Sequence, residues 1–147
     1  MTRISEADYA RIVAQQQRPA RQAATLPAPS EAQEQEAVIT WARCNANRLP
    51  GLDLLFHIPN GEARPTAAGR RLKAQGVQPG VPDLFLPVTC GRFHGLWIEM
   101  KRADRSNHPT PLQAAWIERL RQNGYLVVVA YGADEAIAAI AHYLSVE

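Results

Sequence analysis

Cysteine is scarce in this chain of 147 residues: Cys44 and Cys90 stand far apart and form no C-x-x-C pair. That excludes a disulfide framework and a zinc ribbon, and points to an intracellular protein. Long apolar runs are missing as well, since none approaches the ~18 residues of a membrane span. The N-terminus, MTRISEADYARIVAQQQRPARQ, is too polar for the apolar core of a secretory signal. Neither sign of charge is in excess, with 16 Lys and Arg against 14 Asp and Glu. A polybasic, histone-like protein is therefore excluded, although a local basic patch is not. No repeat is visible, and His57, His94, His108 and His142 lack metal-ligand spacing. A soluble, cytoplasmic protein is expected.

What is present suffices for one domain, because a chain of this length buries roughly two-thirds of its unfolded surface. Residues 4–17 have the thin apolar stripe of a short helix, and Pro19, Pro27 and Pro29 then interrupt a small-residue linker. Residues 1–29 thus read as an extension and 30–147 as the domain. Ser30 with Gln33 forms a capping box that opens a helix burying Val38, Trp41 and Ala42. Strands are expected over 53–58, 83–88, 95–101 and 126–130, and a short basic helix over 67–75. Pro87 places its strand at an edge or marks that strand's end. His57 falls within the first strand and reads as a packing residue.

Thr110 and Pro111 begin a further helix, with Leu112, Ala115, Trp116 and Leu120 inward and Gly124 at its end. The last helix spans 133–144 and turns Ile137, Ile140, Ala141 and Leu144 inward. The order α-β-(short α)-β-β-α-β-α predicts an α/β fold, a mixed central sheet flanked by helices on both faces.

The informative stretch is GVPDLFLPVTCGRFHGLWIEMK. Alternation on a strand puts Glu99 and Lys101 on one face, with Ile98 and Met100 on the other. That strand is otherwise apolar, so its charges are partly buried, which costs several kcal/mol. Asp83 precedes Glu99 by 16 residues, a distance that suits paired strands and sets the two carboxylates side by side. Two carboxylates beside a lysine make a hard-oxygen site for magnesium or manganese, suited to phosphodiester hydrolysis. Lys101 would hold or deprotonate the attacking water, or stabilise developing charge. Taken singly, Pro82-Asp83 is a common turn and Glu99 with Lys101 a common surface ion pair. Trp41, Trp97 and Trp116 have core spacing, although Trp97 shares the face of Glu99.

Pro82-Asp83 followed by Glu99-Met100-Lys101 resembles the PD-(D/E)xK nuclease signature. The flanks resemble one branch of it, the VRR-NUC domain found in phage and bacterial standalone nucleases and in eukaryotic repair nucleases. The matching segments are Ser30-Glu31 with Glu34-Gln35, HIPNGEAR, GVQPGVPDLFLP, LWIEMKR, then Pro111, Gln113, Trp116 and Gly124-Tyr125. The resemblance implies the αβββαβ core of that superfamily. It makes Asp83, Glu99 and the main-chain carbonyl of Met100 the metal ligands, for Mg2+ or Mn2+, and Lys101 the catalytic lysine. Glu31 and Glu34, one helical turn apart, are both kept as the helix carboxylate that serves the site. Gln113 is either a positioning group or a solvated helix residue.

Asn60-Gly61 is either a turn or a loop that approaches the scissile bond. Arg64, Arg70, Arg71, Lys73 and Arg102 are expected to touch phosphates, which fixes register without reading bases. The resemblance further implies a magnesium-dependent endonuclease that cuts branched, flapped or Holliday-junction DNA as a homodimer, in a host cytoplasm if phage-encoded. The other class weighed is a DNA-binding module on a nuclease-like fold without catalysis. Residues 1–29 fall outside the resemblance.

Overall fold

The computed structural model describes residues 27–60 and 67–145. Helix α1 (Glu31–Asn45) opens on the expected box: the Gln33 N–H donates to Ser30 Oγ at 3.2 Å, and the Ser30 N–H donates to Gln33 Oε1 at 2.9 Å. These bonds satisfy two helix-end donors that would otherwise be open. Strand β1 is only Phe56–His57 and follows a 3-10 turn at Leu52–Leu54, so the strand expected over 53–58 is shorter. Phe56 and His57 face Phe85 and Leu84, and the Ile58 N–H adds one more bond, to the Asp83 carbonyl at 2.8 Å, before Pro59 ends the run. Helix α2 (Ala67–Ala74), strand β2 (Leu84–Leu86) and strand β3 (Leu96–Lys101) follow. Pro82 and Pro87 bracket β2, since neither has an N–H to give the ladder. Pro87 therefore marks the end of a strand that is internal to the sheet.

Helix α3 (Pro111–Gln122) has Thr110 as N-cap and its own box with Gln113. It ends in a Schellman turn, with Gly124 at φ +81° and the Tyr125 N–H bonded to the Leu120 carbonyl. Strand β4 (Leu126–Tyr131) and helix α4 (Ala133–Ser145) complete the chain. The sheet order is β1-β2-β3-β4, antiparallel except for the parallel β3–β4 pair.

Register sorts the side chains onto two faces. Leu84, Leu86, Leu96, Ile98, Met100, Val128 and Ala130 point to one face and are buried there under α1 and α4. Phe85, Trp97, Glu99, Lys101 and Tyr131 share the other, against which α3 packs beside β4. Within α4 the buried stripe is Ala136, Ala139, Ile140 and Tyr143, turned from the one expected. Ile137, Ala141 and Leu144 are half-buried, because α4 lies against both α1 and the sheet, where small alanines permit close approach. On α3 only Ile117 is buried and Leu112 is 49% exposed, so the expected apolar stripe is not the packed one. The connection from β4 into α4 turns at Gly132, φ +91°, where a Cβ would lie 2.8 Å from the Ala103 Cβ. The helix expected over 4–17 lies outside the described residues, as does most of the 1–29 extension.

Candidate active site

Extending the Leu84–Ile98 pairing by one step sets Asp83 opposite Glu99 at the point where β2 begins. Asp83 Oδ2 accepts the Met100 N–H at 2.8 Å, so the carboxylate is laid across the β3 backbone. Lys101 faces β4 with its carbonyl, which accepts the Gly132 N–H. Strand alternation therefore turns the Met100 carbonyl the other way, toward Asp83.

Glu99 is fully buried. Its Oε1 accepts from Lys101 Nζ at 2.8 Å and from Gln113 Nε2 at 2.6 Å, while its Oε2 is buried without a hydrogen-bond partner. Gln113 is fixed from both ends of its amide, because its Oε1 accepts the Thr110 N–H at 2.8 Å. The capping box that starts α3 thus aims the amide at Glu99. Lys101, 4% exposed, also lies 3.6 Å from Glu31 Oε1.

The two glutamates that the sequence left open are parted here. Glu31, at the first turn of α1, reaches Lys101. Glu34 is buried and its Oε2 accepts the Ala133 N–H at 2.7 Å, so its carboxylate serves the start of α4.

Burial, then the nearby Asp83 charge, pushes the Glu99 carboxyl up to about 7. Burial also holds Asp83 above the usual carboxylate range, against the opposing pull of the Met100 N–H and Lys101. For Lys101 burial works against the charge, but the hydrogen bond to Glu99 and the charges of Glu99, Glu31 and Asp83 outweigh it. Its pKa is raised, and it is an ammonium at neutral pH.

A pH dependence follows for the metal-free protein. A group whose pKa rises on folding stabilises the fold fully below its unfolded value and loses that contribution as pH climbs through its folded value. For Glu99 the window runs from 4.5 to about 7. Thermal unfolding in chelator should therefore show wild type losing stability relative to Glu99→Gln as pH rises across that window. A difference that stays flat would count against the buried, raised carboxyl.

The remaining expected residues are dispersed. Arg70, Arg71 and Lys73 are exposed on α2 and make no ion pair among the described residues. Arg102 pairs with Asp104 at 2.9 Å. Asn60 donates its amide to the Val81 carbonyl, which ties the loop after β1 to the segment leading into Asp83. Arg64 and Gly61 lie outside the described residues. His57 is exposed on the edge strand rather than packed inside, and its Nδ1 is 2.8 Å from the Asp83 carbonyl oxygen. A carbonyl only accepts, so Nδ1 carries the proton. Trp97 stacks on Phe85 at 4.2 Å, on the face that carries the carboxylates.

One residue that the sequence did not flag also belongs to the cluster. Asn107, in the loop from β3 to α3, donates its amide to Glu31 Oε1 and accepts the Arg102 N–H at 3.3 Å. Nothing local marks it, since an Asn in a polar loop resembles any turn residue.

Aspartate and glutamate side by side on adjacent strands, with a lysine two residues beyond the glutamate and a helix carboxylate near that lysine, define a nuclease fold of the PD-(D/E)xK type. The VRR-NUC domain model matches residues 29–134. The chain belongs to the VRR-NUC domain family and carries its nuclease domain. A solved structure described as a VRR_NUC domain protein is 32% identical and superposes with a TM-score of 0.67, over 82% of this chain and 93% of that one. No curated protein matches. Among the described residues no helix is long and apolar enough to cross a membrane.

Proposed function

We propose that the protein is a magnesium- or manganese-dependent endonuclease that hydrolyses phosphodiester bonds in branched or flapped DNA, working as a homodimer. The observation that carries this is Glu99 Oε2, a buried carboxylate oxygen with no protein partner, on the strand next to Asp83. A buried polar atom left without a partner costs free energy unless something fills its place. The donors on offer fit a hard cation, being two carboxylates and the Met100 carbonyl, all oxygen. Among the described residues no three His, Cys, Asp or Glu side chains are placed to hold one metal ion together, so water and substrate phosphate would complete the shell. When bound, the cation would polarise the phosphoryl oxygen and offset the charge that builds up on it.

The chain's own residues do the rest. Asp83 and Glu99 hold the pocket's negative charge. Gln113 and Lys101 fix one oxygen of Glu99, which leaves the other free for the cation. Lys101, kept charged by its carboxylate neighbours, donates a hydrogen bond to the reacting phosphate and stabilises the transition state. That role suits an ammonium better than removal of a proton from water. Arg70, Arg71, Lys73 and Arg102 supply phosphate contacts, and Asn60 steadies the approach to Asp83.

A four-way junction has two-fold symmetry, which a closed dimer matches. Phe56 on the edge strand and Leu54 beside it, 46% and 48% exposed, are apolar side chains that a second copy would cover.

The test is incubation with end-labelled duplex, nicked, flapped and four-way DNA, in magnesium, in manganese and in EDTA, with sedimentation to count subunits. Cutting of branched substrates in either metal, and none in EDTA, is expected. Binding without cutting under every metal would replace this reading with a non-catalytic DNA-binding module. A second outcome concerns the basic helix. Arg70→Ala with Arg71→Ala should weaken DNA binding alike for all sequences and reduce the slope of log K against log salt by about 2. An unchanged slope would remove α2 from the interface.

A further inference from the structure

Lys101 keeps unequal company: Glu99 Oε1 stands at hydrogen-bond distance, 2.8 Å, and Glu31 Oε1 at 3.6 Å, close enough for charge but not for a hydrogen bond. Something must hold Glu31 at that remove, because it lies in the first turn of α1 with a side chain 38% exposed. Asn107 supplies the restraint. Its Nδ2 donates to the same Oε1 that faces Lys101, and its Oδ1 accepts the Arg102 N–H, directly after Lys101 in the chain. The amide thus spans from helix α1 to the strand end that carries the lysine. No other hydrogen bond from the loop over 102–110 reaches α1 among the described residues.

We infer that Asn107 is a positioning residue, which acts through Glu31 to set where the Lys101 ammonium sits in the active site. This rests on the function proposed above. An Asn donor takes up one lone pair of Glu31 Oε1 and fixes the carboxylate's rotamer, so the lysine is drawn toward Glu31 without being captured by it. With the donor gone, Glu31 either closes on Lys101 or turns to solvent. Both outcomes misplace the ammonium relative to a bound phosphate, and small misplacements near a reacting centre are costly to rate.

Asn107→Asp keeps an oxygen for the Arg102 N–H, removes the donor to Glu31 and sets a second carboxylate against it, so the restraint on Glu31 is not only lost but reversed. The expected result with branched DNA and magnesium is a fall of about tenfold or more in kcat, with KM and the magnesium half-saturation unchanged. On a Glu31→Gln background the same change should add no further loss, since the Gln amide can donate to the new carboxylate; residues that act as a unit are non-additive. Asn107→Ala gives a second measure without added charge. A readout free of catalysis uses the metal-free protein: the Asn107 side-chain amide protons, found by 15N NMR, should move upfield when Glu31 becomes Gln, as a charge-assisted bond is lost. An unchanged kcat, a loss expressed in KM, full additivity with Glu31→Gln, or an amide signal indifferent to residue 31 would each overturn the inference. If wild type itself fails to cut, the functional reading falls, while the NMR arm still tests the contact.

Discussion

Glu99→Gln should reduce DNA cleavage by on the order of a thousandfold while the protein stays folded. Gln at this position keeps an oxygen for Lys101 and Gln113, so the local hydrogen bonds persist. What disappears is the negative charge at the oxygen that has no protein partner. Metal stabilisation of a phosphoryl transition state is worth several kcal/mol, and each ~1.4 kcal/mol is a factor of ten in rate. Calorimetric titration should show magnesium uptake lost in parallel, and circular dichroism should match wild type. Cleavage at the wild-type rate in this variant would remove Glu99 from the chemistry and the metal reading with it.

Glu34→Ala should be the largest single loss of stability among the carboxylates, at about 1.5–3 kcal/mol, the usual range for a hydrogen bond to a charged group left unmade. The carboxylate is buried, bonds the first N–H of α4 from another helix, and sits at the positive end of that helix. Urea unfolding should report the loss, with cleavage per folded molecule little changed. Glu31→Ala should do the reverse, because Glu31 is half-exposed, where ion pairs contribute little to stability. If Glu34→Ala stopped cleavage without shifting the urea midpoint, the division of labour between the two glutamates would be wrong.

The pairing of Asp83 with Glu99 was legible because strand alternation and the antiparallel return of β2 onto β3 depend on short-range geometry. The helix starts at Ser30 and Thr110 and the stop at Gly124 were legible for the same reason, since capping is a contest for a few backbone groups within one turn. The inward stripe of α3 was misjudged, and that of α4 only in part, since Ile140 is buried and Ile137 and Leu144 pack against the core. Periodicity names the apolar residues of a helix, but the neighbours decide which arc is pressed on the sheet; Leu112 is left outside and Ala136 and Ala139 are taken in.

By itself, the order of residues determined an α/β sheet with Glu99 and Lys101 on one face of a central strand, because a period of two allows no other arrangement there, and with Asp83 at the start of the strand that returns beside it. It could not say which helix glutamate meets that lysine, that Gln113 grips Glu99 while capping its own helix, or that Asn107 reaches Glu31. Those contacts join residues 14, 70 and 76 positions apart in the chain. Separations of that size are closed only by packing α1, α3 and the loop after β3 against the finished sheet, so only the tertiary structure decided them.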